Sequence, residues 1–313
     1  MAEEPSVAEE PGLVKEPDER GISRRTILLG GGALAVAAAV GGAQALRGSG
    51  IRTWVNHAQG KCDVTVPHPA ASGARIDRGT FTSQAMQGDL AYVIARPAGT
   101  KDGESVPVVV CLHGHGQHAG VILELDWPDH AAAAGGRYAL AAVDGSDRYW
   151  HRRRDGFDPE RMIVEEWVPF LASRFSLTTR AVMGWSMGGF GALHLARRHR
   201  DVFPAGAVAN SPALWRSFGE ASAADSAAFD DEADFLANDV RVGAGSAASS
   251  IPTMVTYGRS DFFVAGIEDY LRAVGDGGSH VDVVATNGCH DQSFWRAVAP
   301  QAAKFLGARL RSA

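Results

Sequence analysis

Residues 183–193 read MGWSMGGFGAL and set one hydroxyl, Ser186, among four glycines. Gly184-Trp185-Ser186-Met187-Gly188 matches G-x-S-x-G. That string turns up by chance in unrelated chains and gains meaning from its surroundings. Here an apolar run, RAVMGWS (180–186), leads in, and a helix-like run, GALHLARRHR (191–200), leads out. A strand that turns straight into a helix at a serine holds the hydroxyl out on a sharp bend. It also sets that hydroxyl at a helix N-terminus, where backbone N–H groups and the dipole favour negative charge. Small neighbours are what allow strand and helix to approach so closely. Such a hydroxyl becomes a nucleophile when a base takes its proton and an acid orients the base.

Downstream of Ser186 the candidate bases are few. His194 and His199 fall in the following helical run, too near in sequence to fold back, and His280 precedes a strand on a polar turn. His290, in TNGCHDQSFW, follows a strand, where a loop returns to the carboxyl edge of a parallel sheet. It is the expected general base. Asp261, in VTYGRSDFF, also follows a strand that ends on that edge, where parallel sheets gather their sites. Its task would be to fix the imidazole tautomer and stabilise the imidazolium. Asp291 adjoins His290, but sequence neighbours seldom point at each other, and Glu268 is the main substitute.

An acyl-transfer oxyanion needs N–H donors. One is expected from Met187, directly after the serine. The second is expected from the loop LHGHGQHAG (112–120), with His115 first choice and Gly116 next. Four histidines crowd this region: His113, His115, His118 and His130. They lack the paired helical spacing of zinc ligands, so neither a metal nor a cofactor is expected. His113, Trp185 and Trp295 are the candidates for lining a substrate pocket, although His113 and Trp185 could instead pack beneath it.

These residues require an alternating scaffold. Strand-like runs cover 89–97, 106–114, 138–145, 180–186, 205–212, 253–261 and 280–288, several of them near-continuously apolar. Such strands are covered on both faces, as in a parallel sheet flanked by helices. Between them 158–175, 191–200, 265–274 and 293–310 read as helices, the first opening on an Asp cap and a Pro. The pattern is that of one α/β catalytic domain over 74–313. Residues 213–250, acidic and rich in small residues, break the rhythm and are expected to form a partly helical cap near the site. Residues 46–73 are expected to be an irregular extension.

The totals agree with a soluble catalyst: 313 residues, 45% hydrophobic, 21% charged, net charge −6. No basic stripe interleaves with aromatics, which argues against a nucleic-acid partner. The densest basic run, HRRR (151–154), reads as a solvated loop. The N-terminus is different in kind. Residues 1–22 are acidic and poor in apolar residues, and 23–46 read SRRTILLGGGALAVAAAVGGAQAL. Paired Arg24–Arg25, a weakly apolar run and a small-residue AQA at 43–45 have the order of a twin-arginine export signal. That implies the twin-arginine machinery as a partner and an exported product, or a membrane anchor if the segment is not cleaved over 1–45. Three cysteines leave one unpaired. Cys111 sits in an apolar run as a core thiol, and Cys62 with Cys289 is the more reasonable pair.

Taken together, GWSMGGFGAL, LHGHG, GRSDFF and GCHDQSFWRAVAPQAAKFL resemble the esterase family that contains esterase D (S-formylglutathione hydrolase) and the antigen 85 mycolyltransferases. The similarity covers roughly 75–310, with S-M-G-G-x-G-A-L intact at 186–193 and Trp295 closing an H-x-x-x-x-W pattern. Trp185 stands where histidine, tyrosine or leucine is usual in the family. The resemblance implies an α/β-hydrolase fold and a Ser186–His290–Asp261 esterase acting on a small-molecule, glycolipid or carbohydrate ester. It equally admits an acyltransferase with a sugar or lipid acceptor, or a catalytically silent cell-envelope binding module.

Overall fold

In a computed structural model of the chain, residues 49–225, 227–246, 251–275 and 280–312 are described. The export-signal reading of 23–46 lies outside them. Among the described residues no helix is long and apolar enough to cross a membrane. Residues 52–313 form one compact unit.

The apolar runs become the middle of a sheet. Its strands are β1 (Arg75–Ser83), β2 (Gly88–Arg96), β3 (Val106–Leu112), β4 (Ala139–Val143), β5 (Leu177–Trp185), β6 (Ala207–Asn210), β7 (Thr253–Gly258) and β8 (Val281–Thr286). They lie in the order β1-β2-β4-β3-β5-β6-β7-β8. The β1/β2 and β2/β4 pairs are antiparallel and the rest parallel. β3, β4, β6 and β7 are buried almost throughout, which is why they read as unbroken apolar stretches.

Each face of the sheet carries its own apolar layer. One contains Val108, Val110, Val182, Leu193, Phe203 and Ile267, the other Val109, Cys111, Trp127, Met183, Val298 and Leu306. The alternation of Val108 and Val109, or Val182 and Met183, between layers is the period-two side-chain geometry of a strand. The helices are α1 (Ser49–Ala58), α2 (Val121–Glu124), α3 (Trp127–Ala133), α4 (Pro159–Arg161), α5 (Val168–Phe175), α6 (Met187–Arg198), α7 (Phe218–Ala224), α8 (Glu232–Ala237), α9 (Val264–Val274) and α10 (Gln292–Ser312). The expected Asp cap is present: the Asp158 carboxylate accepts the Arg161 N–H at 2.9 Å, with Pro159 in the first turn. Between α4 and α5 the helix widens into a π segment, Met162–Trp167. Pro169 follows two residues on, and its missing N–H and bulky ring disfavour an ordinary α turn against the residue four before it.

Several expectations differ from the fold. β1 went unread because half its residues face solvent and polar side chains dominate it. Residues 49–58 are helical within the stretch expected to be irregular. The 213–250 insertion is partly helical, through α7 and α8.

The HRRR run is not a solvated loop. His151 and Arg153 are buried, and the run grips the insertion. The Arg153 guanidinium donates to Asp230 at 2.8 Å and to the Ala227 carbonyl at 2.6 Å, and the Arg154 N–H donates to Asp230 at 2.6 Å. Arg154 also pairs with Asp231. A basic run and an acidic run far apart in the chain look independently solvated; folded together they neutralise each other.

Candidate active site

β5 enters Ser186 and α6 leaves it. Ser186 has φ 56° and ψ −122°, a conformation that side-chain-bearing residues rarely adopt. The backbone around it is fixed: its N–H donates to the Asn210 carbonyl at 3.0 Å, and its carbonyl accepts the Phe190 and Ala213 N–H groups at 3.0 and 2.9 Å. Two glycines make the bend possible. A Cβ at Gly188 would lie 1.9 Å from the Leu112 carbonyl oxygen, and one at Gly184 would lie 2.1 Å from that of Gly188.

The sheet edge then brings three side chains together. His290 Nε2 lies 2.8 Å from Ser186 Oγ, and His290 Nδ1 lies 2.9 Å from Asp261 Oδ2. Asp261, 1% exposed, accepts the Phe263 N–H on its other oxygen at 2.8 Å. A carboxylate can only accept, so Nδ1 carries the hydrogen and Nε2 is free to accept the Ser186 hydroxyl. Phe262, Phe263 and Trp295 surround the imidazole, with ring centroids 4.5, 5.1 and 5.6 Å away. The rival acids are elsewhere. Asp291 caps α10 through the Phe294 N–H at 2.9 Å, and Glu268 is exposed on α9. His194 and His199 both bond Glu160, at 3.0 and 2.8 Å, away from the serine.

The 112–120 loop lies against this relay. The Gly114 N–H donates to Gln117 Oε1 at 2.9 Å, and the Gly116 N–H to Asp147 at 2.7 Å. Between them the His115 N–H has no acceptor among the described residues, nor has the Met187 N–H in the first turn of α6. Gly116, the second choice as donor, is thus committed elsewhere. The His115 side chain is half exposed and faces Asp225 of the insertion at 3.3 Å.

Two of the three pocket candidates are not in a pocket. His113 is 1% exposed: its Nε2 accepts the Gly145 N–H at 2.9 Å, so its Nδ1–H donates to the Gly114 carbonyl at 2.8 Å. Burial holds its pKa below the ordinary histidine value, and the neutral ring is a strut beneath the loop. Trp185 is fully buried, stacked on Trp127 at 6.5 Å, with its indole N–H on Gln117 Oε1 at 2.6 Å. Side chains alternate across a strand, so the residue before an outward serine points inward. Trp295 does reach His290, edge-on, although it is only 6% exposed.

Sequence reasoning missed Gln117 and the loop 144–150. In that loop Ser146, Tyr149 and Trp150 have positive φ, and the Trp150 indole N–H donates to the His113 carbonyl at 3.3 Å. Cys62 pairs with Cys289 as the sequence favours, and what sequence reasoning missed is the role of Asn56 and Lys61 beside them. Cys62 and Cys289 form a disulfide beside His290, the Gly288 N–H donates to the Lys61 carbonyl at 3.2 Å, and Asn56 donates to the Ser260 carbonyl at 3.3 Å. The segment therefore braces both loops of the relay. His57, Cys62 and Asp291 cluster closely enough to suggest a metal, but the Cys62 sulfur is consumed in the disulfide. Burial pushes the remaining thiol, Cys111, far up, so it is no competing nucleophile. Replacing Cys62 and Cys289 by serine is expected to lower the unfolding free energy by about 2–4 kcal/mol. Thermal melts of the variant and of the oxidised wild type check this; equal midpoints would contradict a bracing role.

Comparison with known proteins identifies the family and the fold. The family model described as "Putative esterase" matches residues 83–304. No curated protein matches the sequence. Among solved structures, a ferulic acid esterase is similar at 21% identity and TM-score 0.65, over 77% of this chain and 100% of that one. An S-formylglutathione hydrolase from Agrobacterium tumefaciens is similar at 16% identity and TM-score 0.66, over 79% and 99%. FphF, a fluorophosphonate-binding serine hydrolase of Staphylococcus aureus, is similar at 15% identity and TM-score 0.60, over 74% and 98%. These likenesses carry the α/β-hydrolase fold. The family match covers well over half of the sequence, and by it the chain belongs to the putative esterase family and is a serine ester hydrolase.

Proposed function

We propose that the chain is an exported esterase that cleaves carboxylic esters through Ser186, His290 and Asp261. The observation that carries this reading is the unbroken hydrogen-bonded relay, 2.8 Å from Ser186 to His290 and 2.9 Å from His290 to Asp261. Ser186 Oγ attacks the ester carbonyl as His290 Nε2 takes its proton. Asp261 holds the imidazole in the productive tautomer and stabilises its positive charge. The carbonyl oxygen, now negative, is received by the Met187 and His115 N–H groups, which have no acceptor among the described residues. His290 returns the proton to the leaving alcohol, an acyl-Ser186 remains, and water enters by the same route in reverse.

Export rests on the Arg24–Arg25 signal-like segment and is supported by the Cys62–Cys289 disulfide, since oxidising compartments are where such bonds persist. One experiment tests both halves. Cells making the intact chain are fractionated, treated with a fluorophosphonate, and the modified residue is mapped. The label is expected on Ser186, outside the cytoplasm for the natural chain and inside it for an Arg24→Lys, Arg25→Lys variant. Label on another residue sinks the site assignment; label outside the cytoplasm for both chains sinks the twin-arginine route.

A further inference from the structure

We propose that Gln117 is a positioning residue for the oxyanion donors, tying the loop that carries the His115 N–H to the residue that precedes the nucleophile. The inference rests on the reading of Ser186 given above.

Gln117 Oε1 accepts two hydrogen bonds, from the Gly114 N–H at 2.9 Å and from the Trp185 indole N–H at 2.6 Å. The Gln117 backbone N–H donates in turn to the Gly114 carbonyl at 3.2 Å. One residue thus holds Gly114 by both its donor and its acceptor, and His113 Nδ1–H is a second donor to the same carbonyl. In a planar trans peptide the carbonyl of residue 114 and the N–H of residue 115 point in opposite directions. Fixing the first aims the second. Gly114 itself lies against the nucleophile: a Cβ there would sit 3.3 Å from Ser186 Cβ. The other end of the tie is rigid, because Trp185 is fully buried and stacked on Trp127.

The two donors come from different elements, His115 from the loop after β3 and Met187 from the start of α6. Their separation decides whether both reach one oxygen. The Gln117 side-chain carbonyl ties the loop to Trp185, the last residue of β5 and two before Met187, and its two lone pairs suit two N–H groups. A leucine of similar size would leave both donors unanswered. A purely structural role would then cost stability and nothing else. A positioning role also costs transition-state binding while ground-state binding stays.

The test compares wild type, Gln117→Leu, Trp185→Phe, the double variant and Ser186→Ala. Each is measured with p-nitrophenyl butyrate and with a trifluoromethyl ketone that adds to serine as a tetrahedral oxyanion. Gln117→Leu is expected to lose about 10- to 100-fold in kcat, somewhat less than outright removal of a donor, with KM within about threefold. Ketone affinity should fall by the same factor as kcat. Trp185→Phe should show a smaller loss, and the double variant should match Gln117→Leu, because both act through one tie. The double variant lacks the stranded indole N–H, so it carries the kcat test if Gln117→Leu does not fold. The inference is overturned if kcat and ketone affinity stay at wild-type values, if KM alone changes, or if the two losses multiply. An inactive Ser186→Ala beside an unimpaired Gln117→Leu would overturn this inference alone. An active Ser186→Ala would overturn the reading of the site itself.

Discussion

Ser186→Ala is expected to abolish ester hydrolysis, with kcat falling by about a millionfold where the relay acts as a unit. Among the described residues the hydroxyl has one side-chain partner, His290 Nε2, and no structural task. The bonds that shape the elbow are made by the Ser186 backbone, and alanine keeps them. Alanine faces the same positive φ as serine, so the fold should change in stability by less than about 1 kcal/mol. The signature is therefore a correctly folded protein with near-normal KM and negligible kcat. Steady-state kinetics with p-nitrophenyl butyrate, beside a thermal melt, gives both numbers. A variant that hydrolyses the ester at even a tenth of the wild-type rate would remove Ser186 as the nucleophile.

Gly188→Ala should be severely damaging to both stability and rate. Two effects oppose each other. Alanine in place of glycine in a helix ordinarily stabilises by about 1 kcal/mol. Here the new Cβ would lie 1.9 Å from the Leu112 carbonyl oxygen and 2.7 Å from that of His113. Both atoms are backbone, so no side chain can swing away, and β3 or α6 must move. Overpacking of this kind costs roughly 1–3 kcal/mol or more, which outweighs the helix gain. The movement also falls on the strand that leads into the His115 loop, and a shift of about 1 Å there costs on the order of a hundredfold in rate. Urea denaturation and kcat/KM measure the two consequences. Gly219→Ala is a natural control, since its Cβ would meet only Ser217 Oγ, at 3.8 Å, in α7. A Gly188→Ala protein as stable and active as wild type would show that the elbow does not depend on this contact.

The relay and the core of the sheet were readable because both have local signatures. β3 through β7 are buried apolar runs, and the elbow writes its geometry into glycines on either side of Ser186. His290 and Asp261 could be ranked because each follows a strand whose end must lie on one edge. What the sequence hid was the set of contacts between distant segments that no motif or cysteine marks. Nothing local in HRRR says that Asp230 and Asp231 will meet it, and nothing in Asn56 or Lys61 says that they will bond the loops of Asp261 and His290. Trp185 and His113 pack beneath the site, the second of the two places the sequence leaves open for them. Proximity in sequence to a reactive group suggests the pocket, whereas the alternation of a strand puts Trp185 on the opposite side. The Gln117 side chain shows the same limit, since its value lies in two N–H groups, one of them 68 residues away.

The bond between Cys62 and Cys289 turns most of the catalytic domain into a closed covalent ring, with Ser186 and Asp261 inside it and His290 one residue beyond. A ring cut once is still one molecule. A protease that opens any peptide bond between the two cysteines leaves both pieces tethered, and neither can diffuse away until the sulfurs are reduced. The first nick then costs a peptide bond and not the molecule.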